Sequence, residues 1–188
     1  MRPLTLILLP ILLLAAGCGS SPGGRWTATP FNGAKPLATA FPAAYYRQAG
    51  AGEYDVVLVD DVTEARPEQK GDVIRPLGTR ALRQFVHLHV FWRATSRMGA
   101  NPAAFNAAID WQLIDGAKGG RVTYAGSGLI LLDPGDLAHV EIVSAEVRPA
   151  KEEGTARPPI GAASVGGVFF AQRNDARVEE LLREMGRK

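Results

Sequence analysis

The stretch Leu82-Arg83-Gln84-Phe85-Val86-His87-Leu88-His89-Val90-Phe91-Trp92-Arg93-Ala94 decides the fold class. Alternate residues of a β-strand project to opposite faces. Val86, Leu88, Val90 and Trp92 therefore share one face, and Phe85, His87, His89 and Phe91 the other. The first face reads as core. The second, aromatic and polarisable, reads as half covered. A helix would scatter both sets around its circumference.

Working outward, the same period recurs. Asn106 to Asp115 places Ala107, Ile109, Trp111 and Leu113 inward and Asn106, Asp110 and Gln112 outward. Gly116-Ala117-Lys118-Gly119-Gly120 predicts a hairpin loop, and Arg121 to Leu132 the returning strand, with a bulge or bend at Gly126 and Gly128. Asp133-Pro134-Gly135-Asp136 predicts a turn, since proline presets the dihedral of its second position. Leu137 to Val147 and Ile160 to Gln172 follow as strands, separated by a polar loop from Arg148 to Pro159. Upstream, Asp55 to Asp60 reads as a buried strand, and Pro42 to Gln48 as a short helix stopped near Gly50. Asp61 to Thr79 is charged and holds Pro67, Gly71, Pro76 and Gly78, so it reads as loop, as does Ser96 to Pro102. At the far end Asn174-Asp175 caps a helix in which Val178, Leu181, Leu182 and Met185 recur at helical spacing, ended by Gly186. The expected class is mainly β (α+β): an antiparallel sheet or sandwich of about six strands, closed by an amphipathic helix.

The first residues carry a different signal. Met1-Arg2 is followed by an apolar run from Leu4 to Leu14, too short to span a bilayer, which takes ~20 residues. Small residues then lead into Cys18, the single cysteine of 188 residues. Leu14-Ala15-Ala16-Gly17-Cys18 resembles the lipobox of bacterial lipoproteins. The family pattern has Leu three places before the cysteine; here Ala15 stands there and Leu14 one place further out. The resemblance implies a signal peptide over 1–17, cleavage before Cys18 and attachment of acyl chains to its sulfur. Gly19 follows where an Asp would, by the same resemblance, signal retention in the inner membrane, so the outer membrane facing the periplasm is expected if the source has one. With one cysteine, no disulfide is available within the chain.

Residues 18–42 are rich in Gly, Pro, Ser, Thr and Ala and read as a flexible, lipid-anchored tether, with Trp26 and Phe31 docking on the domain. Residues 43–188 are then a single β-rich domain. The chain holds 21 Lys+Arg against 19 Asp+Glu, a balance that exerts no long-range pull on nucleic acid. Arg75, Arg80, Arg83, Arg93 and Arg97 form a mild basic cluster, read as a solvated strand edge.

Motifs for chemistry are sparse. His87-x-His89 sets two imidazoles on one strand face, ~6.5–7 Å apart along the chain, a spacing that lets both reach one metal. His139, with Glu141 two places on, is the remaining histidine. No carboxylate close in sequence is seen to orient the pair, so the expectation is no metal and no cofactor, with His87, His89 and His139 as the candidates if one is held. Ser127 sits in Gly126-Ser127-Gly128, without the glycine spacing of a nucleophile elbow. Asp60, Asp61 and Glu64 lack the regular spacing of a calcium loop and read as a solvated turn. The expected function is a non-enzymatic envelope lipoprotein that binds or scaffolds an envelope protein or polysaccharide. The alternatives are a metal-dependent hydrolase using the three histidines and a carrier of a small apolar ligand.

Overall fold

A computed structural model describes residues 22–60, 82–94, 105–115 and 119–187. The expected leader with Cys18, the stretch from Asp61 to Thr79 read as loop and the turn expected at Ser96 to Pro102 lie outside the described residues. So do Asp61, Glu64, Arg75, Arg80 and Arg97.

Among the described residues nine strands and one helix follow one another: β1 (Gly23–Pro30), β2 (Leu37–Phe41), β3 (Ala43–Gly50), β4 (Glu53–Val59), β5 (Leu82–Val90), β6 (Ala107–Asp115), β7 (Gly120–Asp133), β8 (Leu137–Glu153), β9 (Ala163–Arg173) and α1 (Asp175–Glu184). They form one mixed sheet in the order β2-β1-β9-β3-β4-β5-β6-β7-β8. Because β8 also pairs with β9, the sheet closes on itself. The expected six-strand sheet or sandwich is thus a nine-strand mixed sheet in which β3 to β9 close into a ring and β1 and β2 continue from β9. All its pairings are antiparallel except a short parallel one at the seam, Tyr45 with Gln172 and Tyr46 with Arg173.

Closure sorts side chains into inside and outside. The interior takes Val56 and Leu58 from β4, Val86, Leu88 and Val90 from β5, and Ile109 and Trp111 from β6, each buried and facing its cross-strand neighbour. Trp26, Trp111 and Tyr124 fill the middle, with ring centroids 5.6 Å and 4.7 Å apart along the series. Gly126 is required here: a Cβ on it would overlap the Glu146 carbonyl of β8. The irregularities expected at Gly126 and Gly128 fall on either side of them, at Thr123/Tyr124 and Leu129/Ile130.

Outside, α1 lies over the reverse face of β3, β4 and β5. Val178, Leu181, Leu182 and Met185 pack there on Ala43, Val57, Val59 and Phe85. The Asn174 side chain caps the helix by accepting the Arg177 N–H, and Gly186 leaves it with positive φ. Gln112 faces outward as expected but lies under the helix, buried, and donates to the Met185 carbonyl at 3.0 Å, so the sheet holds the last turn of the helix.

Several expectations are corrected. The residues read as a tether form β1 and β2, and Trp26 is fully buried, while Phe31 is exposed rather than docked. Their alternation was hidden by a Gly- and Pro-rich composition. Pro42 to Gln48 is not helical: Ala43–Gly50 is β3, whose inward Ala44 and Tyr46 pack in the core. Arg148 to Glu153 continues β8 beside Arg121–Ala125 instead of looping. Asp60 is buried, and its Oδ1 accepts the Gln84 N–H at 2.7 Å, closing the end of the β4–β5 ladder. Trp92 is 47 % exposed. Its strand stops at Val90 because Asn106, buried and not outward, seizes the chain just beyond. Its side-chain amide donates to the carbonyls of Trp92 (2.9 Å) and Ile130 (2.8 Å), and its Oδ1 accepts the Ile130 N–H at 2.8 Å.

These two tryptophans separate by experiment. Trp111→Ala should lower unfolding stability by ~3–5 kcal/mol in urea titrations. Trp92→Ala should change it by under ~0.5 kcal/mol, as surface substitutions do.

Candidate metal centre on the helix-covered face

The outward face of β3, β4 and β5 changes character beyond the edge of α1. Strand pairing sets Arg47 opposite Asp55 and Asp55 opposite His89, making one polar row across three strands. His87 stands one pleat along, between Val57 and Asp110.

Asp55 is the centre of this cluster. Its Oδ1 lies 2.9 Å from His87 Nε2 and 2.8 Å from His89 Nδ1. Its Oδ2 accepts from Arg47 Nε and Nη2, each at 2.9 Å. Arg47 Nη1 reaches Glu179 of α1 at 3.6 Å. Asp55 and His87 are buried, and the His89 side chain is 32 % exposed. The His89 ring meets Phe91 edge-on at 5.1 Å. His87 Nδ1 is buried with no hydrogen-bond partner among the described residues.

Burial by itself would raise the Asp55 pKa. Hydrogen bonds from His87 and His89, the electrostatic pull of His87 and the Arg47 hydrogen bond outweigh it and hold the carboxyl well below the usual carboxylate range. Asp55 is therefore a carboxylate at any ordinary pH.

Of the residues singled out in sequence, His87 and His89 converge and His139 does not join them. His139 lies on β8, paired with Asp133 of β7 and Phe170 of β9, with its ring 5.3 Å from Phe170. β6 and β7 separate it from the pair in the sheet. A three-histidine centre is ruled out by that placement. Ser127 is exposed on β7, two strands from His89 across Ala108. Asp110 pairs with Arg187 just after the helix, and Trp111 is core. Of the basic cluster, Arg83 binds Glu184 at 2.9 Å and lies over the Phe85 ring, so it is part of the helix contact and not a free strand edge.

Comparison with protein-family models, curated proteins and solved structures finds no match to this chain.

Sequence reasoning missed Asp55 and Arg47 because they lie more than thirty residues before the histidines. A local signal was present. Asp55 precedes Val56-Val57-Leu58-Val59, and a charge in register with the outward positions of a strand buried on both faces needs a partner there. Among the described residues the one His/Cys/Asp/Glu group with converging ligand atoms is Asp55, His87 and His89.

The lowered Asp55 pKa fixes a sign. A carboxyl whose folded pKa is depressed stabilises the fold above its unfolded value, about 4, and loses that contribution as pH falls toward the folded value. Stability measured by urea midpoint should fall below pH ~4. Asp55→Asn should reduce stability at pH 7 by about 1–3 kcal/mol and flatten the acid limb of the curve.

Proposed function

We propose that this chain is a lipid-anchored envelope protein whose closed β-sheet domain is held against the bilayer and binds or scaffolds an envelope component without catalysing a reaction. The observation that supports this most is where the first strand begins. β1 starts at Gly23, so four residues separate it from Cys18. At ~3.6 Å per residue the chain can carry Gly23 no more than about 18 Å from the acylated cysteine. An anchor so close to the sheet keeps the domain at the surface of the bilayer.

The end of the sheet that holds Gly23 is suited to such a position. Gly23 pairs with Phe170, Phe170 with His139 and His139 with Asp133, so the β7–β8 turn lies at the same end. The segment after β5 joins that end through the bridge between Ala94 and Leu131. It carries the exposed Phe91 and Trp92 next to Arg93, with exposed Phe105 beside them before β6. Aromatic rings beside a cation are the side chains that settle at a membrane–water interface. No helix among the described residues is long and apolar enough to cross a membrane. The aromatic filling of the interior favours a scaffold over the carrier of an apolar ligand.

Acylation stabilises membrane attachment by ~0.8 kcal/mol per buried methylene, and two chains make it lasting. Cys18→Ser should leave the protein uncleaved or release it from membranes, read by gel mobility and by fractionation. A Ser variant processed and sedimenting like the parent would overturn the reading. With Gly19 after the cysteine, the parent should fractionate with the outer membrane of a two-membrane cell, and recovery with the inner membrane would count against that placement.

A further inference from the structure

The polar cluster beside α1 does more than close a sheet face. A buried carboxylate and a buried imidazole add little stability that apolar residues of the same shape would not supply. Here Asp55 and His87 displace apolar packing on a face where Val57, Val59 and Phe85 show that such packing is available.

We propose that Asp55, His87 and His89 form a binding site for one divalent transition-metal cation of the zinc type. Two imidazole nitrogens and one carboxylate oxygen are a donor set for such ions, whereas magnesium and calcium take oxygen ligands. Zinc binds such atoms at ~2.0–2.2 Å in a tetrahedral shell, which sets neighbouring ligands about 3.3–3.6 Å apart. Oδ1 stands 2.9 Å and 2.8 Å from the two nitrogens, so small ring movements complete the shell. The cation takes the place of the proton that each ring now points at Oδ1. Those protons move to the other ring nitrogens, or to solvent from a ring that is doubly protonated.

The surroundings support the ligands. Arg47 grips Oδ2 through two nitrogens and leaves Oδ1 as a single donor aimed at the histidines, the outer-shell orientation that metal carboxylates require. Its charge does not turn a cation away, because Glu179 lies against Arg47 and Asp110 is matched by Arg187. With neutral rings, Arg47, Asp55 and Glu179 together carry one net negative charge. His89 is the exposed member, so the cation enters from its side, and solvent completes the coordination there.

The site is independent of the anchor and is tested apart from it. Full-length protein, purified in detergent and stripped with a chelator, is titrated with Zn²⁺ and with Co²⁺. The expected result is one ion per chain by elemental analysis and a saturable Co²⁺ visible spectrum that Zn²⁺ displaces. His89→Ala, at a half-exposed position, should keep the β-type circular dichroism and weaken binding at least about 10–100-fold. Asp55→Asn should do the same. Should it fail to fold, His89→Gln serves as the second variant. His139→Ala should bind like the parent. Binding that never saturates at one ion, that survives His89→Ala, or that is lost in His139→Ala would overturn the proposal and leave the cluster as an ion pair that holds β3, β4 and β5 together. Cys18→Ser should bind the ion like the parent whether or not it stays on the membrane.

Discussion

Everything in this domain depends on β9 being shared. Along one edge it pairs with β8, and along the other it serves first β1 and then, at its last residues, β3. Two residues of parallel pairing are a weak seam, and a closed sheet cannot tolerate a weak seam unless something backs it. The backing comes from both faces. Tyr46, at the seam, points inward and bonds through its hydroxyl to the Gly135 carbonyl of the β7–β8 turn, while its own carbonyl accepts the Asn174 N–H at the start of α1. The helix that covers the outer face therefore grows directly from the join, and its apolar stripe spreads the load onto β3, β4 and β5.

The metal candidate follows from the same geometry. α1 is ten residues long and covers only part of the outer face. Where its apolar stripe ends, the strands beneath still lie in shelter, and polar side chains placed there are buried without being part of a hydrophobic core. Asp55 and His87 occupy that shelter, and His89 stands at its rim.

How much could be read from the chain depends on how local each signal is. The alternation in β5, β6 and β7 and the apolar stripe of α1 are local, and both appear at the expected residues. β1 and β2 could not be read, because Gly23, Gly24 and Pro30 punctuate β1 and Gly33 and Pro36 fall between the two strands, while Trp26, Ala28 and Phe41 carry the pattern. The extension of β8 past Arg148 was equally hidden: its residues are mostly exposed, and it is held by ladder bonds and by charges such as Glu153 between Arg121 and Lys151. The candidate site was half legible. His87-x-His89 is a local spacing, but Asp55 meets it only through strand pairing, and His139 looked equivalent until the order of strands set it apart.

The position of β1 has a mechanical consequence. It is an inner strand, bonded to β2 on one side and β9 on the other over most of its length. Antiparallel ladder bonds run perpendicular to the strand. A pull on the chain ahead of Gly23 is directed along the strand, so it loads both ladders in shear, all bonds at once, instead of peeling them singly. Tension at the amino end is thus carried into the sheet by the strand best placed to resist it.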